Sequence, residues 1–177
     1  FLFNSLNAIT VLVRDRRTQE AADMLELLSR LLRQVLQTEQ GEFVTLNQEL
    51  QFIEQYLNIE QVRFSDRLQV RWSIEDSVRG ALVPAFILQP LVENAVRHGI
   101  AKRIENGVIE IAALSEERWL VLRVIDNGPG YEPTAQAGVG LANTRLRLQT
   151  LFGEQAELRL LPAAGGGTIA ILRIPLR

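Results

Sequence analysis

The residues with the clearest chemical content lie between Val124 and Arg145, in VIDNGPGYEPTAQAGVGLANTR, where an apolar strand runs into an acid and then two glycine clusters. Asp126 ends that strand with a carboxylate, and Gly128, Gly130, Gly138 and Gly140 punctuate the polar loop that follows. Glycine tolerates positive φ and lets a ligand approach the backbone, so an acid beside an opening kept clear by glycines reads as a nucleotide site. Upstream, LVENAVRHG places Glu93, Asn94, Arg97 and His98 on an otherwise apolar helical segment.

Two kinds of pattern must position these groups. From residue 1 to about Phe64 the apolar spacing is helical: Leu2, Leu6, Ile9 and Val13 come first, then a polar break where Thr18 can cap a helix over Gln19 to Gln37. That helix carries Ala21, Leu25, Leu28, Leu32 and Val35 at heptad-like spacing, and Met24, Leu27 and Leu31 widen its apolar face. After a turn at Gly41, Thr45 and Gln48 form a capping-box signature for a helix from Leu46 to about Phe64. Its stripes, Leu46/Leu50/Ile53/Leu57 and Phe52/Tyr56/Ile59, predict packing on two sides. Either an intramolecular helical hairpin or a bundle completed by a second chain would meet that need.

After Asp66 the period changes to two. Leu68, Val70, Trp72 and Ile74 alternate with polar residues, which predicts a strand buried on one face. Pro84 then opens an apolar segment read as a buried helix ending at Gly99, with Pro90 kinking it or starting a new turn. Strands are expected at about Gly107 to Leu114 and Trp119 to Ile125, a helix at about Val139 to Phe152 stopped by Gly153, and last strands at about Glu157 to Leu161 and Thr168 to Leu176. The fold class is therefore α+β: a two-layer α/β sandwich with helices on one face, preceded by a helical hairpin. The boundary falls near Ser65, giving a helical part over 1–64 and a sandwich over 65–177.

Composition narrows the ligand classes. The chain has 177 residues, no cysteine, one histidine and a formal net charge of −2. The charge argues against non-specific binding to nucleic acid or an anionic membrane. Lack of thiols excludes disulfides and thiolate metal sites, and a single His disfavours zinc. No apolar run approaches the ~18 residues of a membrane span. The opening Phe1-Leu2-Phe3-Asn4 begins in mid-pattern without an initiator Met, so a fragment of a longer protein is expected, with any membrane attachment supplied by upstream segments.

The order of motifs carries more than any one of them. LVENAVRHG, DNGPG, GVGLANTRLRL and the glycine-rich turn into Gly167-Thr168 together resemble the N, G1 and G2 boxes of the GHKL (Bergerat-fold) ATP-binding domain. With the opening FLFNSLN, the hairpin ending YLNIEQVRFSDRLQV, and LVPAFILQPLVENAVRHGI, nearly the whole chain resembles the cytoplasmic kinase core of LytS/YehU-type bacterial sensor histidine kinases.

That resemblance implies ATP and Mg²⁺ as cofactors and gives each residue a role. Asp126 becomes the adenine-reading acid, accepting a hydrogen bond from the adenine amino group that guanine does not offer there. Asn94 becomes the Mg²⁺ ligand against the phosphates, a suitable hard oxygen donor. Gly128, Gly130, Gly138 and Gly140 flank an ATP lid, with Gly138, Val139, Gly140 and Leu141 at a helix N-terminus where anions are favoured. Thr168 assists adenine binding. Arg97 and His98 sit on the phosphate side, and Lys102 and Arg103 either add charge there or are solvated. Glu93 is a possible catalytic group, polarising a nucleophile or capping Mg²⁺ hydration. In this family the phosphoacceptor His directly precedes FLFN, so the chain is expected to start one residue after it, and His98 is not that acceptor. The gyrase-like relatives carry a catalytic Glu four residues before the N-box Asn, a place held here by Pro90, so simple ATP hydrolysis is not implied.

The expected function is thus a sensor histidine kinase core of a two-component system. In the intact protein it would pass phosphate to a His and on to a response regulator, with a LytTR-type regulator as partner, a homodimer as the assembly, and the cytoplasmic side of an inner-membrane sensor as the location. The fragment itself would bind ATP without autophosphorylating. The rival readings are a nucleotide-binding scaffold without transfer and an anti-sigma-type Ser/Thr protein kinase.

Overall fold

A computed structural model describes residues 2–38, 42–64, 67–101, 107–130 and 139–177. Helices α1 (Leu2–Arg14) and α2 (Thr18–Thr38) form the hairpin. A three-residue strand, β1 (Phe43–Thr45), leads into helix α3 (Leu46–Phe64). The capping box is present: the Thr45 amide donates to Gln48 Oε1 at 2.9 Å and the Gln48 amide donates to Thr45 Oγ1 at 3.2 Å. Both predicted stripes of α3 are buried within the single chain, one against α1 and α2 and the other against the following strands. In α2 the buried stripe is Ala21, Met24 and Leu28, whereas Leu25 and Leu32 are exposed.

Strand β2 (Leu68–Ile74) is followed by a 3₁₀ turn (Asp76–Val78) and by β3 (Leu82–Pro84), which pairs antiparallel with β1. Neither β1 nor β3 was expected, because three residues hold too little periodicity to read. This small sheet ties α3 to the rest: the Leu46 amide donates to Ala81 O at 2.8 Å and the Asn47 amide to Arg79 O at 2.9 Å. Helix α4 runs over Gln89–Asn94 and continues as a π-helical segment, Ala95–Ile100. The remaining elements are β4 (Gly107–Glu116), β5 (Trp119–Asp126), α5 (Val139–Phe152), β6 (Glu157–Pro162) and β7 (Thr168–Pro175), each within two residues of its predicted ends, and a 3₁₀ turn (Gly153–Gln155) that was not expected.

The main sheet has the order β2-β4-β5-β7-β6, with β2 parallel to β4 and every other pair antiparallel. Alternate residues of its central strands, among them Ile109, Ile111, Leu120, Leu122, Val124, Leu172 and Ile174, are buried in one continuous core with α3, α4 and α5. That is the two-layer arrangement, helices on one face. The apolar face of β2 is covered only in part: Leu68 is buried, Val70 and Ile74 are half-buried, and Trp72 remains 40% exposed at the sheet edge. Gly153, at φ +60, ends α5 in the left-handed conformation that glycine adopts without strain.

Candidate nucleotide site

Asp126 is the last residue of β5, directly opposite Thr168 of β7 and Ile109 of β4. Its side chain is 4% exposed. The Gly128 amide donates to Oδ1 at 2.8 Å, and the polar groups of Thr168, opposite on β7, favour the charged carboxylate. Burial pushes the pKa above the usual carboxylate value; these groups and the charge of His98 oppose the shift.

Glycines from three segments close around this acid. A β-carbon on Gly99 would lie 2.6 Å from Asp126 Oδ1, one on Gly128 would lie 2.3 Å from Gly99 Cα, and one on Gly167, at φ +99, would lie 1.9 Å from Asp126 O. No residue with a side chain fits at these points, so the end of the Asn94 helix, the DNG turn and the start of β7 meet backbone to backbone. Gly99 and Gly167 were not among the expected site residues, although each adjoins one that was. Asn127 holds the turn to β4: its Oδ1 accepts from the Val108 amide at 2.7 Å and its own amide donates to Val108 O at 3.2 Å.

The Asn94 segment departs from the expected course at both ends. Residues 85–88 are a turn rather than the first part of a helix, and α4 starts at Gln89 with Pro90 in its first turn. Proline lacks the amide that a helix interior requires but loses nothing at the first turn, so Pro90 marks a start and not a kink. Beyond Asn94 the helix widens, and the Ala101 amide bonds Val96 O, five residues back, at 2.9 Å. Such π turns are rare and concentrate at functional sites.

A cleft of ≈ 420 Å³ lies between α4 and α5, lined by Phe86, Gln89, Pro90, Glu93, Asn94, Arg97, His98, Gly140 and Leu141. Asn94 and Glu93 are half-buried, Arg97 and His98 are exposed, and Leu141 is a buried wall residue. Glu93 Oε1 accepts from Gln89 Nε2 at 2.7 Å. The structure therefore brings together Glu93, Asn94, Arg97, His98, Gly140 and Leu141. Asp126 and Thr168 are not on the cleft wall; they join it through the His98-Gly99 step. Gly130 takes φ +111 just after the DNG turn. Val139 opens α5, while Gly138, Lys102 and Arg103 lie outside the described residues.

Among the described residues no cluster of three or more His, Asp or Glu side chains could hold a metal ion. The amide oxygen of Asn94, half-buried in the cleft, suits a hard cation that takes most of its oxygens from phosphates and water. A Mg²⁺ carried in with a nucleotide fits these residues; a metal held by protein alone does not.

Comparison with known proteins identifies the family. Residues 1–68 match the Histidine kinase family model, and residues 83–177 match the model of the Histidine kinase-, DNA gyrase B-, and HSP90-like ATPase. The sensor histidine kinase BtsS of Escherichia coli K12 is 36% identical over all of this chain, and LytS of Staphylococcus saprophyticus is 38% identical over 90% of it. The chain spans 31% and 29% of the lengths of these two relatives. Among solved structures, the histidine kinase domain of the Erythrobacter litoralis blue-light activated kinase aligns with a TM-score of 0.62, covering 95% of this chain and 84% of that one at 18% identity. The Acinetobacter baumannii histidine kinase AdeS aligns at 0.59, covering 94% and 85% at 16% identity, a likeness of fold. The chain belongs to the Histidine kinase-, DNA gyrase B-, and HSP90-like ATPase family, in the company of the sensor histidine kinases.

Proposed function

We propose that this chain binds ATP·Mg²⁺ and, within a longer sensor histidine kinase, serves the transfer of the γ-phosphoryl group to a His and from there to a response regulator. The observation that carries the reading is the Asp126 carboxylate. A carboxylate has about four lone-pair sites; the Gly128 amide takes one, which leaves acceptor capacity for an adenine amino group. Asn94 would hold Mg²⁺ from the other side, and Mg²⁺ when bound neutralises charge on the phosphates. Arg97, His98 and the amides at the start of α5, Val139 among them, would receive the phosphate oxygens, and Gly138, outside the described residues, keeps the phosphate-side role that the resemblance implies. Glu93, facing the same cleft, is positioned to orient a nucleophile. Positioning and charge neutralisation are most of what a protein contributes to phosphoryl transfer.

The division into a helical acceptor side over 1–64 and a catalytic side over 65–177 belongs to this proposal. So do the homodimer, the LytTR-type response regulator and the cytoplasmic location beneath an inner-membrane sensor. Exposed Leu6, Val11, Val13, Leu25 and Leu32 on α1 and α2 support the homodimer, because a hairpin already packed on α3 has no other use for them. Among the described residues no helix is long and apolar enough to cross a membrane. The match of residues 1–68 to the Histidine kinase model speaks against the Ser/Thr kinase rival.

Titration calorimetry with ATP and MgCl₂ tests the site. The wild-type chain should bind, and Asp126→Asn should weaken binding at least ~10-fold, about 1.4 kcal/mol. Equal affinity in the variant would remove adenine reading from Asp126. With the upstream residues restored, γ-labelled ATP should leave acid-labile, base-stable label on the protein.

A further inference from the structure

Glu49 is a carboxylate inside the protein, 2% exposed on the face of α3 that meets the sandwich. Its partners lie 37 and 39 residues away: Oε2 accepts from the Phe86 amide at 2.8 Å and Oε1 from the Leu88 amide at 2.9 Å. The Ile87 amide acts on it too. These amides belong to the turn before α4, and Leu88 is the N-cap residue of that helix, without a capping side chain of its own. A helix end needs acceptors for its free amides; Glu49 supplies, from another element, one for the N-cap residue Leu88 and one for the Phe86 amide just before it.

Phe86 shows what that grip maintains. It stands at φ +59, a left-handed conformation that costs a non-glycine residue roughly 1–2 kcal/mol. Its ring lines the nucleotide cleft and packs edge-on against Phe52 of α3 at 5.0 Å. On the opposite side Arg147 of α5 donates to Ala85 O and, at 3.4 Å, to Glu42 O. The turn over 85–88 is thereby gripped between α3 and α5, the helix whose first residues form the far wall of the cleft. Burial raises the Glu49 pKa to about 7, against the amides and the charge of Arg147. The ionised carboxylate is thus kept at a cost to stability, which is poor design for a group whose only task is to hold the fold together.

We propose that Glu49 is a positioning residue of the nucleotide cleft: by seating the Phe86 and Leu88 amides it sets the cleft wall and the start of the helix that carries Asn94. The inference rests on the ATP reading given above. It gives α3, which also packs against the α1–α2 hairpin, direct leverage on the nucleotide site.

Glu49→Gln tests it in the whole chain. One amide bond survives the change, while the new NH₂ faces the amide of Phe86. ATP affinity in the presence of MgCl₂ should fall at least ~5-fold, with the urea midpoint unchanged or raised, since the charge penalty is gone. Unchanged affinity would overturn the proposal, and so would a loss of affinity that merely follows a lowered midpoint. Hydrogen exchange in the wild-type chain gives a second reading that needs no variant: the Phe86 amide should slow on adding ATP, and an unaltered rate would overturn the proposal. Failure of the wild-type chain to bind ATP would defeat the nucleotide reading and this inference with it. Binding by wild type and variant alike would defeat the inference alone.

Discussion

Two glycines of the candidate site look interchangeable in sequence, and the structure assigns them opposite responses to the same substitution. Gly128 follows the strand-end acid, and Gly140 lies one residue into α5. Neither is at positive φ, so backbone strain does not separate them. Contact does. A methyl on Gly128 would lie 2.3 Å from Gly99 Cα and 2.9 Å from Gly99 O, whereas carbon atoms in contact sit about 3.5–4.0 Å apart. The obstacle is backbone, so relief requires moving the π-helical segment off the DNG turn. Overpacking costs typically 1–3 kcal/mol where side chains can give way, and here they cannot; Gly128→Ala should cost at least about 3 kcal/mol. The nearest neighbour of a methyl on Gly140 is Pro90 Cβ at 3.7 Å, an ordinary contact. There the usual helical preference for Ala over Gly, about 0.5–1 kcal/mol, should stabilise α5. The two variants should therefore differ by about 4 kcal/mol. With a urea dependence of about 2 kcal/mol per molar, their unfolding midpoints should stand about 2 M apart, on opposite sides of wild type. Gly140→Ala should also weaken ATP, because the methyl enters the cleft. A Gly128→Ala chain that unfolds at the wild-type midpoint would refute the backbone-contact argument.

Other expectations follow from named contacts. Glu49, raised from 4.5 to about 7 by burial, binds its proton more tightly in the folded chain than in the unfolded one. Its contribution to stability is therefore fully present below pH 4.5 and is lost as pH rises to about 7, a change of about 3 kcal/mol. Urea unfolding between pH 5 and pH 8 should show this slope in wild type and not in Glu49→Gln; parallel profiles would contradict the burial argument. Thr45→Ala removes half of the reciprocal cap on α3 and should cost about 1 kcal/mol by the same assay. Replacing exposed Leu25 and Leu32 together by Gln should leave the folded chain as stable as wild type, while sedimentation of the longer protein should show the proposed homodimer shifted toward monomer. A dimer that survives would place its interface elsewhere.

What could be read from sequence and what could not divides along the range of the interactions. The alternation of β4, β5 and β7, the stop at Gly153 and the Thr45/Gln48 cap depend on neighbours within a few residues, and each lies where it was expected. The apolar run from Ala85 to Leu91 concealed a turn, although Pro90 marked the true helix start, because hydrophobicity alone does not separate a buried turn from a buried helix. The candidate site shows the same division. Asp126 and Asn94 were identifiable by residue type and local motif. Gly99, Gly167 and Glu49 are defined by what crosses them from distant segments: a carboxylate 27 residues on, the carbonyl of Asp126, and amides 37 and 39 residues away. One polar residue in the LNQELQFIEQYL stretch gives no sign of being a ligand for another element's backbone. The groups that would touch nucleotide are thus written in short motifs, whereas the contacts that bring those groups to one place are long-range. Mutations in the second class should leave the motifs intact and still disable the site, and for that reason Glu49 and Gly128 are the more informative positions to change.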